Sequence, residues 1–404
     1  MTRVHAGQPY SMVPMGTLVV SLTLVETGMK SRLADARRDR HDPRTRGSAS
    51  PAGRRRNGLG LAQVERMSTR ALRRLVSVAL LSGLCASPFV LGVPRAALAA
   101  DDATDGYTRG QALFHERKFR EAIVALDPYI AAHPRDARAL VLRGDAKADL
   151  NENEAALKDY NTAIGIAPEY QYAYVTRCET RLQLDDVTGA LADCNEAVRL
   201  DASDALARED RGDVHFDREA YALALDDYDK AIELGRSSAY VFAARCDAER
   251  LVGKRDRARA DCEKALSIDP KSRRGLWARG RLGIVETRYT DGIADLNAYI
   301  AQNPKASDTA YYFRGLAYNR ISSFRNALDD LTVYVERQEK ESAKPDPDGY
   351  RERAVARYGI GDKPGALADL DLALKGYRKD GNSSEVEHVT AMVKAIGLGR
   401  PPSP

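Results

Sequence analysis

Three signatures of catalysis are missing from this sequence. It has no His-Glu-x-x-His helix, no glycine-rich phosphate loop and no Gly-x-Ser-x-Gly elbow. Those absences remove the usual zinc-hydrolase, nucleotide and serine-hydrolase readings. Histidine is scarce, and the four histidines beyond residue 99 (His115, His133, His215 and His388) share no ligand spacing. No enzyme activity, metal or cofactor is expected. Concentrated positive charge is also lacking where it would count. The whole-chain charge of +4 hides a split: residues 1–99 hold 16 of the 62 Lys+Arg and 5 of the 58 Asp+Glu, which leaves 46 against 53 beyond them. An acidic remainder argues against nucleic acid as the main partner, because phosphate binding needs clustered Lys and Arg.

The only long apolar stretch with a processing pattern lies near the start. Met67-Ser-Thr-Arg-Ala-Leu-Arg-Arg is a short basic opening, Leu75 to Val93 is mostly apolar, and Ala97-Leu98-Ala99 supplies small residues two apart. This three-part order is that of a secretory signal peptide over 67–99, cleaved near Ala99. An uncleaved anchor is the alternative; Gly83, Pro88 and Gly92 weaken it and the Ala-x-Ala site favours removal. Cys85 follows Leu84 and does not fit a lipid-attachment site. Residues 1–66, rich in Arg, Gly and Pro, read as a disordered leader or as a mis-assigned start, with translation beginning at Met67. The rival run from Met12 to Val25 has neither basic start nor cleavage site.

From about Ala103 the chain repeats every 34 residues. Small residues recur at Gly110, Gly144, Cys178, Gly212, Cys246 and Gly280, and again twelve later at Ala122, Ala156, Ala190, Ala224, Ala258 and Gly292. A period of this length means stacked supersecondary units. Within the second unit, Leu140, Gly144 and Ala148 mark one helix, Asn151 to Asn153 a turn, and Ala156, Tyr160, Ala163 and Ile164 a second helix, stopped by Pro168. Equivalent prolines stand at Pro134, Pro270 and Pro304. Two further units follow an inserted residue: Gly315, Ala327, Leu331 and Tyr334, then, beyond a Lys344-Pro-Asp-Pro linker, Ala354, Ala366, Leu370 and Ala373.

Gly144, Ala156, Tyr160, Ala163 and Pro168 resemble, in order, the tetratricopeptide repeat. The resemblance implies an all-α fold: a right-handed superhelical solenoid of about eight helix-turn-helix repeats over 100–380. A C-terminal capping helix over 381–399 would close it, with Asn382 and Glu385 as its cap and Val386, Val389, Val393 and Ile396 as its apolar face, and a disordered tail 400–404 would follow. Departures are visible. Lys147, Arg181, His215 and Glu249 stand where the family favours an aromatic residue, Arg replaces the usual Leu before the small residue, and Gly235 replaces a proline stop.

The arginine substitution is systematic. It recurs at Arg109, Arg143, Arg177, Arg211, Arg245, Arg279, Arg314 and Arg353, and sixteen residues after all but the first comes an aspartate: Asp159, Asp193, Asp227, Asp261, Asp295, Asp330 and Asp369; only Arg109 is followed by Ala125. Sixteen residues across a tight hairpin bring one helix level with the other, so seven structural ion pairs are expected. Arginine suits them because its planar fork meets a carboxylate with two hydrogen bonds. A ligand-binding charge ladder is the competing reading, disfavoured because each arginine already has its own acid. These pairings also claim one member of Asp226-Asp227 and of Asp329-Asp330, which otherwise resemble acid/base dyads. Cys178 and Cys194, and Cys246 and Cys262, are likewise sixteen apart. Disulfides are expected in an exported chain; metal binding and free core thiols are the alternatives, and two sulfurs without a nearby histidine make a poor zinc site.

The family resemblance implies a concave groove lined by first helices. Carrying over its groove-facing positions gives Asp145, Asp149, Glu179, Glu209, Asp213, Asp217 and Asp247 in the second to fifth units, then Arg274, Trp277, Arg281, Tyr312, Arg320 and Arg351 in the sixth to eighth. The groove is expected to be acidic toward one end and basic and aromatic toward the other, taking an extended peptide or partner protein with Trp277 and Tyr312 as anchors; solvated helix faces are the bland alternative. The expected role is an exported scaffold, periplasmic or secreted, for protein–protein interaction. The alternatives are a cytoplasmic adaptor or co-chaperone, although the clamp of Lys and Asn that chaperone-binding relatives carry is missing, and an accessory platform in envelope polysaccharide assembly. No stable membrane insertion is expected after cleavage, and oligomeric state is not read.

Overall fold

A computed structural model describes residues 106–306, 308–342 and 345–402. The leader, the signal-peptide segment 67–99 with its cleavage site, and Cys85 lie outside the described residues. Those described form seventeen α-helices and one 3-10 turn, with no strand among them. They divide into two compact units, with the boundary in the chain after Pro134.

The first unit is one hairpin: α1 (106–115) and α2 (Phe119–Ala132). Leu126 fills the space that Gly110 leaves empty, and Ala122 and Leu126 have no exposed surface. Arg109, whose sixteenth successor is not an acid, is exposed.

The second unit holds seven hairpins: α3 (Ala137–Asp149) with α4 (Asn153–Ile166), α5 (Gln171–Gln183) with α6 (Val187–Leu200), α7 (Ala205–Asp217) with α8 (Tyr221–Glu233), α9 (Ala239–Leu251) with α10 (Arg255–Ile268), α11 (Arg273–Val285) with α12 (Tyr289–Gln302), α13 (Asp308–Arg320) with α14 (Phe324–Glu341), and α15 (Pro347–Gly359) with α16 (Lys363–Lys379). Each helix packs on its hairpin partner and on the next hairpin, and first helices also touch the first helices on either side. Stacking is what buries the apolar face that a lone hairpin would expose.

Local sequence sets the ends of these helices. Asp136, Asp204, Ser238, Ser272 and Asp346 cap first helices by accepting backbone N–H bonds through their side chains. The turn inside every hairpin is the same left-handed stop. Its left-handed residue is Arg117, Asn151, Asp185, Glu219, Gly253, Thr287, Ser322 or Gly361, all at φ between 58° and 92°. The following N–H reaches back to the last turn of the first helix, as from Glu152 to the Lys147 carbonyl (2.9 Å) and from Arg288 to the Gly283 carbonyl (2.7 Å). That is a Schellman turn, which normally selects glycine or asparagine. Thr287 is the β-branched exception, at φ 59° and exposed. Because left-handed backbone costs a branched residue roughly 1–2 kcal/mol, Thr287→Asn is expected to stabilise the protein by about 1 kcal/mol. A thermal melt with an unchanged or lower midpoint would contradict this.

Departures from the repeat have local causes. Gly235 (φ 95°) ends α8 by the same left-handed stop, and Arg236 N–H bonds the Ala231 carbonyl at 2.9 Å, so no proline is needed. Gly292 replaces alanine because a Cβ there would lie 2.8 Å from the Gly280 carbonyl oxygen. The inserted residue of the seventh unit is taken up by the 3-10 turn Pro304–Ala306. The linker before the eighth unit lies earlier than expected: α14 ends at Glu341, Asp346 caps α15, and Pro347 is the first residue of that helix. The last helix, α17 (Ser383–Gly397), buries Val389, Met392 and Ile396. Asn382 caps it by accepting from Glu385 N–H at 3.3 Å, but the Glu385 carboxylate turns to Arg351 instead of completing a reciprocal cap.

Candidate functional site

All seven arginine–aspartate pairs are in contact, and all have the same two-pronged geometry. Arg143 Nε and Nη2 donate to Asp159 at 2.9 and 2.6 Å, Arg177 to Asp193 at 2.8 and 2.6 Å, and Arg211 to Asp227 at 2.8 and 2.7 Å. Arg245 meets Asp261 at 2.5 and 2.8 Å, Arg279 meets Asp295 at 2.7 Å twice, Arg314 meets Asp330 at 2.7 and 2.6 Å, and Arg353 meets Asp369 at 2.9 and 2.7 Å. Every one of the aspartates is buried. The third guanidinium nitrogen does something the sixteen-residue spacing did not suggest. Arg177 Nη1 reaches Asn161 (2.7 Å), Arg211 reaches Asn195 (3.3 Å), Arg245 reaches Asp229 (2.7 Å) and Arg314 reaches Asn297 (2.6 Å), each on the preceding hairpin. One arginine therefore fixes the register of its own hairpin and joins it to the previous one. The signal was present as Asn or Asp two residues after the paired aspartate.

The residues standing in the family's aromatic position add a second cation to this pair. Lys147 approaches Asp159 at 2.8 Å, Arg181 approaches Asp193 at 2.7 Å and Arg357 approaches Asp369 at 3.1 Å. His215 lies 3.8 Å from Asp227, and burial holds its imidazole below the ordinary histidine value. Only Glu249 carries the opposite charge there.

Cys178 and Cys194 are joined by a bond of 2.05 Å and Cys246 and Cys262 by one of 2.08 Å. Each disulfide replaces a contact seen in the neighbouring hairpins, where the Tyr160 ring lies over Gly144 and the Tyr228 ring over Gly212 with no room for a Cβ. The two solutions alternate, so the second to fifth repeats have a true period of 68 residues, visible in Gly144/Gly212, Tyr160/Tyr228 and Cys178/Cys246. The tyrosine hydroxyls extend this alternation to the inner face. Asp145 accepts from Tyr160 (2.9 Å) and Tyr172 (3.1 Å), and Asp213 accepts from Tyr228 (2.7 Å) and Tyr240 (2.8 Å). Burial, then the Asp145 carboxylate, pushes the Tyr160 hydroxyl well above its ordinary range, so it stays a donor.

The other groove positions are knitted together across hairpins. Glu209 takes a fork from Arg236 at 2.6 and 3.1 Å. Arg274 donates to the Tyr240 hydroxyl, stacks on that ring and lies 3.8 Å from Asp213. Asp247 meets Arg250 at 3.3 Å and Arg281 at 3.5 Å. Arg281 lies over the Trp277 ring, and burial pushes its guanidinium down to about 9. Arg320 meets Glu352 at 3.4 Å, and Arg351 joins Glu385 (2.6 Å) to Asp348 (3.0 Å). Asp145, Asp149, Glu179 and Asp217 are half-buried.

Two expectations change as a result. The division into an acidic and a basic end does not hold at its boundary, because Arg274 and Arg281 lean back onto Asp213 and Asp247. Tyr312 is not a surface anchor: it is 2 % exposed, packed edge-on to Phe313 and against Tyr334. Trp277 remains half-buried beside Tyr299 and Phe313. Among the described residues no cluster of three or more His, Cys, Asp or Glu is placed to hold a metal, and no helix is long and apolar enough to cross a membrane.

A family model described as "Tetratricopeptide repeat" matches residues 107–170 and 179–239. A search of curated proteins finds no match. Among solved structures, the Cut9–Hcn1 hetero-tetramer of APC/C is similar at a TM-score of 0.55 and 12 % identity, over 81 % of this chain and 60 % of that one. A tetratricopeptide repeat protein from Parabacteroides merdae ATCC 43184 aligns at a TM-score of 0.45 and 17 % identity, over 63 % of this chain and 98 % of that one. YrrB, described as a TPR protein with an unusual peptide-binding site, aligns at 0.36 and 21 %, over 45 % and 93 %. The family match and the repeated hairpins define the class: residues 107–170 and 179–239 are tetratricopeptide repeats, and the hairpins beyond them continue the same fold. That fold is that of a protein–protein interaction scaffold.

Proposed function

We propose that this protein is an exported, periplasmic or secreted scaffold that binds an extended segment of a partner protein along its first-helix face. The observation that carries the reading is the half-buried carboxylate Asp145, with Asp213 as its buried counterpart beside Arg274. Each is held in a fixed orientation by two tyrosine hydroxyls contributed by its own and the next hairpin. Orienting an acid this way favours a basic or amide-bearing ligand without reorganisation at binding. Trp277 supplies a half-buried aromatic surface further along the same layer, and aromatic side chains of this kind dominate binding energies. The disulfides and the signal-like segment 67–99 support an oxidising compartment outside the cytoplasm.

The experiment is affinity capture from an envelope extract by the parent protein, Trp277→Ala and Asp145→Asn/Asp213→Asn. Each variant is expected to weaken capture by about tenfold or more, an interface residue contributing at least ~1.4 kcal/mol. Capture of the same partners at parental strength by both variants would overturn the groove reading. Sequencing the mature N-terminus tests export, with residue 100 expected. An uncleaved chain with free thiols at Cys178 and Cys246 would favour the cytoplasmic adaptor instead.

A further inference from the structure

We propose that the α9–α10 hairpin is a proton-controlled joint: it closes with Glu249 neutral and loosens when Glu249 ionises. The argument starts from equivalent positions. Lys147, Arg181, His215 and Arg357 each face the aspartate of their hairpin as a donor or potential donor. Glu249 brings a carboxyl group to the same place, facing Asp261. Both Asp261 oxygens are already taken by Arg245. Glu249 has no exposed surface, and neither of its oxygens has a hydrogen-bond partner. Among the described residues the one cation in contact is Arg257, whose Nε lies 2.8 Å from Oε1 without hydrogen-bond geometry. Arg257 is itself half-exposed and shared with Asp229 at 3.3 Å.

Counting charge shows what the site prefers. The groups facing Glu249 are Asp229 from α8, Arg245 from α9, and Asp261 and Arg257 from α10. The remaining cations nearby are committed elsewhere: Arg250 and Arg281 to Asp247, Arg279 to Asp295, and Arg211 to Asp227. Two acids and two arginines balance only while Glu249 holds its proton. Burial, and then the Asp261 charge, raises the Glu249 carboxyl to about 7. The sign follows directly. An unfolded glutamate releases its proton near pH 4.5, whereas the folded one keeps it to about 7. Between these values the folded state binds more protons, so hairpin stability falls as pH rises, and it levels off above 7. The Cys246–Cys262 bond ties α9 to α10 beside this carboxyl. It limits the response to local loosening.

The test is hydrogen exchange of the α9 and α10 amides in the oxidised full-length protein at pH 5.5 and 8.0, corrected for intrinsic exchange. The parent is expected to lose protection between the two by roughly tenfold for each pH unit from 5.5 to about 7, on the order of thirtyfold in all. Glu249→Gln should keep its protection across the range, and Glu249→Lys, which restores the cation of the other hairpins, should do the same. Equal losses in the parent and Glu249→Gln would overturn the proposal. Should Glu249→Gln not fold, Arg257→Gln decides: it should move the midpoint of the parental loss to higher pH, and an unmoved midpoint overturns the proposal.

Discussion

Replacing Arg353 with alanine is expected to destabilise the protein by about 3–5 kcal/mol, the cost of stranding a buried charge. Asp369 is 1 % exposed and Arg353 8 %, the deepest burial among the seven pairs. Removing the arginine leaves a carboxylate in a dry hairpin with Arg357 Nη1, 3.1 Å away, as its remaining ionic partner. Thermal unfolding followed by circular dichroism should show the affected transition lowered by roughly 10 °C. The informative comparison is Arg353→Met/Asp369→Leu. Replacing both partners by apolar groups leaves no charge to solvate and is often neutral or better for buried pairs. The single variant should therefore melt below the double. Arg211→Ala should follow the same order with a smaller loss, because Arg208 still reaches Asp227 at 3.3 Å and the pair is less buried, at 20 % and 4 %. Equal losses for single and double variants at both sites would mean that the pairs stabilise the hairpins directly instead of fixing their register.

The parts of this architecture that depend on spacing alone were legible in the sequence. A 34-residue period, a small residue facing a large one and an arginine sixteen residues before an aspartate are all consequences of hairpin geometry that repeats without change. What depended on neighbouring hairpins was not legible. The third nitrogen of Arg177 goes to Asn161 because stacking brings the previous second helix alongside. Nothing within one repeat announces it. The left-handed turn was hidden for another reason. It is specified by the backbone bonds of the Schellman turn, so residues as unlike as Arg117, Glu219 and Ser322 occupy it. Groove positions were the hardest to read. Tyr312 holds the same place in its helix as Trp277, yet Tyr334 and Phe313 close over it, whereas Trp277 stays partly open. Arg274 and Arg281 were assigned by sign to a basic end, but side chains that long span a hairpin and find the nearest acids.

Removing either disulfide is expected to cost on the order of 3 kcal/mol, since each closes a loop of about 16 residues. Cys178, Cys194, Cys246 and Cys262 have no exposed surface, so reductant should reach them only as their hairpins open. Folded protein should therefore resist reductant that attacks it readily in denaturant. The alternation of hairpins suggests the sharper experiment. The neighbouring repeats meet the same steric demand with Gly144 beneath Tyr160 and Gly212 beneath Tyr228. Cys178→Gly/Cys194→Tyr should thus regain part of the stability that Cys178→Ala/Cys194→Ala loses, because it refills the volume and offers a hydroxyl to Glu179, the counterpart of Asp145 and Asp213. The loop-closure contribution would stay lost. Removing both disulfides should also weaken the coupling of the α7–α8 hairpin, which lies between them, to the hairpins on either side, because a stacked repeat is stabilised through its interfaces. Denaturant unfolding, expected as one cooperative transition in the parent, should then spread into separate transitions. A single transition of unchanged midpoint in the protein lacking both bonds, or free thiols at Cys178 and Cys194 in material purified without reductant, would show that these cysteines are ordinary core residues. Either result would also remove a main support for placing the protein in an oxidising compartment.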